Sequence, residues 1–113
     1  MHEMSLCEGI LQVLEQEAAK QGFDRVRAVW LEIGSLSSVE PDAMRFSFEV
    51  VTHNSLAEGA ALHIVDIPGT AWCIHCAKTV AVQQRFDLCP KCGGAQLQVT
   101  AGDEMNIKEL EVN

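Results

Sequence analysis

The chain has 113 residues, 48% of them hydrophobic and 21% charged, with a formal net charge of −8 and five cysteines. That composition is too apolar for a disordered chain and too short for more than one small globular unit with an appendage. No basic start followed by an apolar run and a small-residue cleavage site opens the sequence, and no apolar run approaches the ~20 residues that span a bilayer, so a cytoplasmic protein without membrane contact is expected. In a reducing compartment, clustered cysteines read as metal ligands or redox centres before disulfides.

From Ser5 to Gln21 the apolar residues Cys7, Ile10, Leu11, Leu14 and Ala18 recur at helical spacing. Ser5 and Glu8 have capping-box spacing and Gly22 is a C-cap candidate, which leaves Met1 to Met4 projecting beyond the helix, although a start as early as Glu3 also fits. Val26 to Ile33 (VRAVWLEI) reads as a strand ended by Gly34. After a turn-like Ser35 to Ser38, Glu40-Pro41-Asp42 opens a second helix running to about His53 with Met44, Phe48 and Val51 on one face. The alternation of Phe46, Phe48 and Val50 would also suit a strand. Leu62 to Ile67, closed by Pro68-Gly69, and Glu104 to Val112 are further strands, the last with a parity change between Ile107 and Leu110.

Between those two strands, Trp72 to Ala95 holds four of the five cysteines and few large apolar residues. It reads as an insertion into an α+β domain made of a small three-stranded sheet and two helices. The expected division is 1–70 and 98–113 for the α+β domain and 71–97 for the insertion.

Within the insertion, Cys73-Ile74-His75-Cys76 and Cys89-Pro90-Lys91-Cys92 form two C-x2-C pairs separated by twelve residues. Each pair puts two sulfurs on one turn, and the two together complete a tetrahedral S4 shell suited to Zn(II). Gly93 and Gly94 permit the backbone such a knuckle needs, and Thr79 to Val82 can form a hairpin strand, so the segment reads as a zinc ribbon. A dithiol redox centre would need only one pair. A catalytic zinc would keep an open position, which four cysteines do not leave. A nucleic-acid ribbon would present a basic face; this segment balances at +2 against −10 for the rest of the chain, and four thiolates around Zn(II) add −2. A structural zinc that folds a core-poor segment is the preferred reading, with a redox protein as an alternative that predicts thiols oxidising reversibly without zinc release.

Met1-His2-Glu3 are not explained by packing. The α-amine of Met1, the deprotonated amide of His2 and its imidazole Nδ1 can close two adjacent chelate rings on one cation, with Glu3 adding a further donor. Such nitrogen-rich, flat coordination suits Ni(II) or Cu(II) better than Zn(II). A histidine at position 2 is in itself an ordinary residue of a frayed end, and the combination with the rest of the chain is what makes it specific. Met-His-Glu at the start, Ser5-Leu6-Cys7, Val29-Trp30-Leu31-Glu32-Ile33-Gly34, Ser38-Val39-Glu40, Phe46-Ser47-Phe48-Glu49 and the two C-x2-C pairs closely resemble the HypA/HybF family of hydrogenase-maturation nickel metallochaperones.

The resemblance covers the whole chain. It implies Ni(II) as cargo held by Met1, His2 and Glu3, a zinc site at Cys73, Cys76, Cys89 and Cys92, and delivery of nickel to the large-subunit precursor of [NiFe] hydrogenase alongside a HypB-like nickel-insertion GTPase. Some relatives carry histidine directly after each C-x2-C pair; Ala77 and Gly93 stand there in this sequence. Whether the working form is a monomer or a homodimer stays open.

The remaining residues read as framework. Cys7 is core packing, or else a soft accessory ligand five residues from His2. His53 and His63 are a helix-end and a strand residue, Trp30 is core, and Trp72 is expected to pack where the insertion meets the main domain. Glu15, Glu17, Glu40 and Glu49 form no general acid/base pair and no glycine-rich phosphate loop is present, so catalytic and cofactor-binding residues are not expected. The function from a different class that the residues also allow is a zinc-ribbon adaptor for a protein partner, without an exchangeable metal.

Overall fold

The computed structural model describes residues 2–113. Its elements run α1 (His2–Gln21), β1 (Val26–Gly34), α2 (Pro41–Thr52), β2 (Ala61–Ile67), β3 (Gly69–Cys73), β4 (Lys78–Val82), β5 (Leu97–Ala101) and β6 (Met105–Val112). The strands form two three-stranded sheets, ordered β2-β1-β6 and β4-β3-β5. The expected α+β architecture is thus observed, with the cysteine-bearing hairpin inserted between β2 and β6.

The chain divides into two compact units. The first holds the chain up to Leu31, Val39–Val65 and Ile107–Asn113. Here α1 buries Cys7, Ile10 and Leu14 on one stripe, while Leu11 and Ala18 are half-buried. The helix begins at His2, ahead of the expected Ser5 start, so Ser5 lies inside it and is not its cap. Gly22, at φ 79°, ends it by donating its N–H to the Ala18 carbonyl at 2.8 Å, a left-handed position that costs a residue with Cβ more than glycine.

Residues 41–52 are helical because Glu40 caps them: its side chain accepts the Asp42 N–H, and Pro41 takes the first turn, where a missing N–H costs nothing. The helical period buries Met44, Ser47 and Phe48 and leaves Phe46 and Val50 exposed, which rules out the strand alternative. α1 and α2 pack on each other, with the Cys7 thiol 3.7 Å from the Met44 carbonyl oxygen and 4.0 Å from its sulfur. Val26, Ala28, Val29 and Leu31 of β1 are buried as well, as are Thr52 and Ala57. Trp30 is only half-buried and stacks on His63 with ring centroids 4.6 Å apart.

The second unit comprises Glu32–Ser38 and Asp66–Asn106, so the compact body that contains 71–97 also takes in a stretch around Leu36. Its β3 pairs antiparallel with both neighbours, Ala71 facing Val80 on one side and Val99 on the other, with a bulge between Thr70 and Ala71 on the β5 side. The buried cluster is Leu36, Ala71, Cys73, Val80, Val82 and Cys89. Leu36 is fixed by its backbone: its N–H donates to the Gly102 carbonyl at 2.7 Å and its carbonyl accepts the Arg85 Nε–H at 2.8 Å. Gly102 sits at φ 87° with the Pro68 carbonyl oxygen 2.5 Å from where a Cβ would stand, so both its dihedral and its surroundings call for glycine. Trp72 points away from this core and is 40% exposed.

Candidate metal centre

The two cysteine pairs sit on matching turns. In the first, Cys73 ends β3, the Ala77 N–H donates to the Cys73 carbonyl at 2.8 Å, and the Cys76 N–H lies 3.4 Å from the Cys73 sulfur. In the second, the Gly93 N–H donates to the Cys89 carbonyl at 2.8 Å and the Lys91 N–H lies 3.4 Å from the Cys89 sulfur. Both knuckles turn through a left-handed residue four positions after their first cysteine, Ala77 at φ 53° and Gly93 at φ 73°. The second was legible as glycine; the first, occupied by alanine, carries no sequence signal and is held against its own preference by the turn.

The turns bring all four sulfurs within 4.8 Å of one another. The Cys73–Cys92 sulfur separation is 3.7 Å and that of Cys76–Cys89 is 3.9 Å. A tetrahedral ion with Zn–S bonds of ~2.3 Å would have S–S edges of about 3.8 Å, so the sulfurs are spaced as a tetrahedral thiolate shell requires. Among the described residues this is the one group of three or more side chains that could hold a metal ion.

The electrostatics point the same way. The Cys89 thiol is drawn down to about 6, chiefly by the backbone N–H groups of Cys92 and Lys91 at its sulfur. Cys76 is pushed up to about 12 by burial and by the neighbouring sulfurs. Backbone N–H groups at one sulfur thus favour its thiolate, while burial and neighbouring sulfurs oppose ionisation at Cys76. Burial is uneven: Cys73 and Cys89 are buried, Cys76 is half-buried and Cys92 is exposed. His75 faces solvent and belongs to no ligand cluster.

At the other end of the chain, Met1 lies outside the described residues. His2 opens α1 with 58% of its side chain exposed, its Nδ1 3.8 Å from Glu3 Oε2. Glu3 Oε2 also accepts the backbone N–H of Glu40 at 3.2 Å. That N–H, then the Glu3 N–H in the first helical turn, hold the Glu3 carboxyl below the usual carboxylate range. Residues 2 and 3 therefore sit side by side on an exposed helix start whose first N–H groups have no acceptor within the helix. The link from Glu3 to Glu40 was not foreseeable from sequence, since nothing local pairs positions 37 apart. Also unforeseen is the contact between His53 Nδ1 and Glu58 Oε2 at 3.0 Å beyond α2. Among the described residues no helix is long and apolar enough to cross a membrane.

Comparison with known proteins places these features. The family profile described as hydrogenase/urease nickel incorporation, metallochaperone, hypA matches residues 1–112. A hydrogenase maturation factor HypA of Rhodopseudomonas palustris (strain BisA53) is 61% identical over 113 residues, all of both chains. The protein of that name from Azotobacter chroococcum mcd 1 is 62% identical over 112 residues, 99% of each. The solution structure of the Ni metallochaperone HypA from Helicobacter pylori superposes with a TM-score of 0.71 at 26% identity, covering 97% of this chain and 96% of that one. A second solution structure of a HypA protein gives 0.74 at 27% identity, covering 100% and 97%.

Proposed function

The chain belongs to the HypA family of nickel-incorporation metallochaperones and maturation factors, which are not enzymes, and we propose that it carries Ni(II) on Met1, His2 and Glu3. The donors are the Met1 amine, the His2 amide nitrogen and imidazole, and a nitrogen or carboxylate oxygen of Glu3. The observation that carries this reading is the whole-chain family match joined to an exposed His2 beside a half-buried Glu3 at the start of α1. A cation there meets the positive end of the helix dipole. Anionic donors, a deprotonated amide and the Glu3 carboxylate, offset that repulsion. Binding the backbone nitrogens of both His2 and Glu3 needs a nearly planar N–Cα–C–N unit at His2, which a helical ψ of about −42° does not provide, so the start of α1 yields where the Glu3 nitrogen is the donor. A site that moves only a few terminal residues, and that protonation of its amine or imidazole can open, suits an ion that must be handed on.

The same proposal assigns Zn(II) to Cys73, Cys76, Cys89 and Cys92 as a structural ion that holds the ribbon together, and divides the chain into a nickel-binding domain (1–70 and 98–113) and a zinc ribbon (71–97). Nickel is delivered in the cytoplasm to the large-subunit precursor of [NiFe] hydrogenase, in cooperation with a HypB-like GTPase.

The test is a Ni(II) titration of purified zinc-loaded protein. Wild type should show a site of ~1:1 stoichiometry with square-planar absorption, lost in His2→Ala and when an extra residue precedes Met1, with zinc content and far-UV spectrum unchanged. Nickel affinity that survives both changes would sink the terminal site and favour the zinc-ribbon adaptor.

A further inference from the structure

The four sulfurs are equivalent as ligands and unequal in access. A cavity of about 320 Å³ is lined by Cys73, His75, Cys92, Gly94, Ala95 and Gln96. It meets two of the four cysteines, and of these Cys92 is exposed while Cys73 is buried. Cys76 and Cys89 do not line it. The Cys92 sulfur stands 3.7 Å from that of Cys73, which belongs to the opposite knuckle. Bound to a metal, all four sulfurs are thiolates, so access is what separates them as nucleophiles. The site therefore has one sulfur that a small electrophile reaches first and, directly behind it, a second that can resolve the product.

We propose that Cys92 is a modification site: a hydroperoxide entering this cavity oxidises Cys92, and Cys73 closes on it as a disulfide that discharges the metal. The proposal rests on the zinc reading of the cysteine cluster and not on the nickel terminus. In the first step the Cys92 thiolate attacks the peroxide O–O bond. Sulfur takes one oxygen as a sulfenic acid and is oxidised by two electrons, while the other oxygen leaves as hydroxide, or as alkoxide from an alkyl hydroperoxide. In the second step the Cys73 thiolate attacks the Cys92 sulfur, the S–S bond forms, the S–O bond breaks and a second hydroxide leaves. Each leaving group takes a proton from the buffer acid, so a hydrogen peroxide turnover releases two waters. The ion is then left with Cys76 and Cys89, half its donors, and the ribbon loses the free energy that metal binding supplied. Reduction by a dithiol in the presence of Zn(II) restores the starting state.

The experiment uses the full chain, its zinc content first measured. Protein without zinc at about one equivalent would refute the zinc reading itself, separately from the order in which the sulfurs react. Zinc-loaded protein is treated with substoichiometric N-ethylmaleimide and mapped by peptide mass spectrometry. A parallel sample is titrated with hydrogen peroxide while a chromogenic chelator reports released zinc. The first maleimide adduct should fall on Cys92. Peroxide should yield a Cys73–Cys92 disulfide with one zinc lost for each disulfide formed, and dithiothreitol with zinc should reverse it. First adducts on Cys76, or spread evenly over the four cysteines, would overturn the proposal. So would a disulfide within either C-x2-C pair, or peroxide consumed at methionines with zinc retained.

Discussion

The Glu3 carboxylate accepts the backbone N–H of Glu40 at 3.2 Å, tying the first turn of α1 to the residue that caps α2. Glu40 is itself occupied with the Asp42 N–H, so the two acidic side chains form a short relay of caps across the starts of two helices. A nickel site that recruits Glu3 Oε2 competes with the Glu40 N–H for that oxygen.

Replacing Glu3 with Ala should therefore do two separable things. It frees the Glu40 N–H, which should exchange faster with solvent, and it lowers stability slightly, as the loss of one solvent-exposed hydrogen bond does. Nickel affinity should fall less than in His2→Ala, because the nitrogen donors remain. Adding Ni(II) to wild type should also speed exchange at Glu40 where the carboxylate moves to the metal. Protection of Glu40 that is the same in wild type and Glu3→Ala would show that the contact carries no weight.

Cys7 supplies a pH test. It is fully buried against Met44, and burial, aided by the nearby Glu3 charge, pushes its thiol from 9.0 up to about 11. The folded state thus holds this proton more tightly than the unfolded chain does. Its contribution is fully present below pH 9 and is lost as the pH rises toward 11, and two units correspond to at most about 2.7 kcal/mol. Urea denaturation of the zinc-loaded protein should show stability declining across that window. In Cys7→Ala the decline should be shallower, from a lower starting value because of the cavity. Equal slopes in the two proteins would mean that Cys7 does not titrate there.

Much of this fold can be read from local pattern. The stripe of Cys7, Ile10 and Leu14, the Glu40-Pro41 helix start, and Gly22 and Gly93 at left-handed positions are each dictated within a few residues by sterics or periodicity, and each is observed. The cysteine centre was legible for the same reason, since two tight turns suffice to converge four sulfurs. The features that local pattern does not reveal depend on partners remote in sequence. The α1 start moves back to His2, where Glu3 meets Glu40. Ala77 takes a glycine-like dihedral because the first knuckle requires it. Leu36 looks like part of a turn between two serines, yet it is buried in a cluster otherwise drawn from residues 71–89.

Leu36 gives the sharpest test of how the ribbon is held. Its cluster has six buried residues, two of them cysteines of the metal centre, and a core that small does not offset the ordering cost of some forty residues. Metal and Leu36 should therefore each be necessary. Removing the metal with a strong chelator should abolish amide protection in β3, β4 and β5 while α1 and the Val26–Leu31 part of β1 stay protected. Leu36→Ala, which leaves every sulfur in place, should cost about 2–5 kcal/mol, the range for a buried leucine, and should release zinc to a competing chelator at markedly lower chelator concentration than wild type. A Leu36→Ala protein that keeps its zinc as firmly as wild type would show that the four cysteines hold the ribbon alone and that the packing of residues 32–38 against it is incidental.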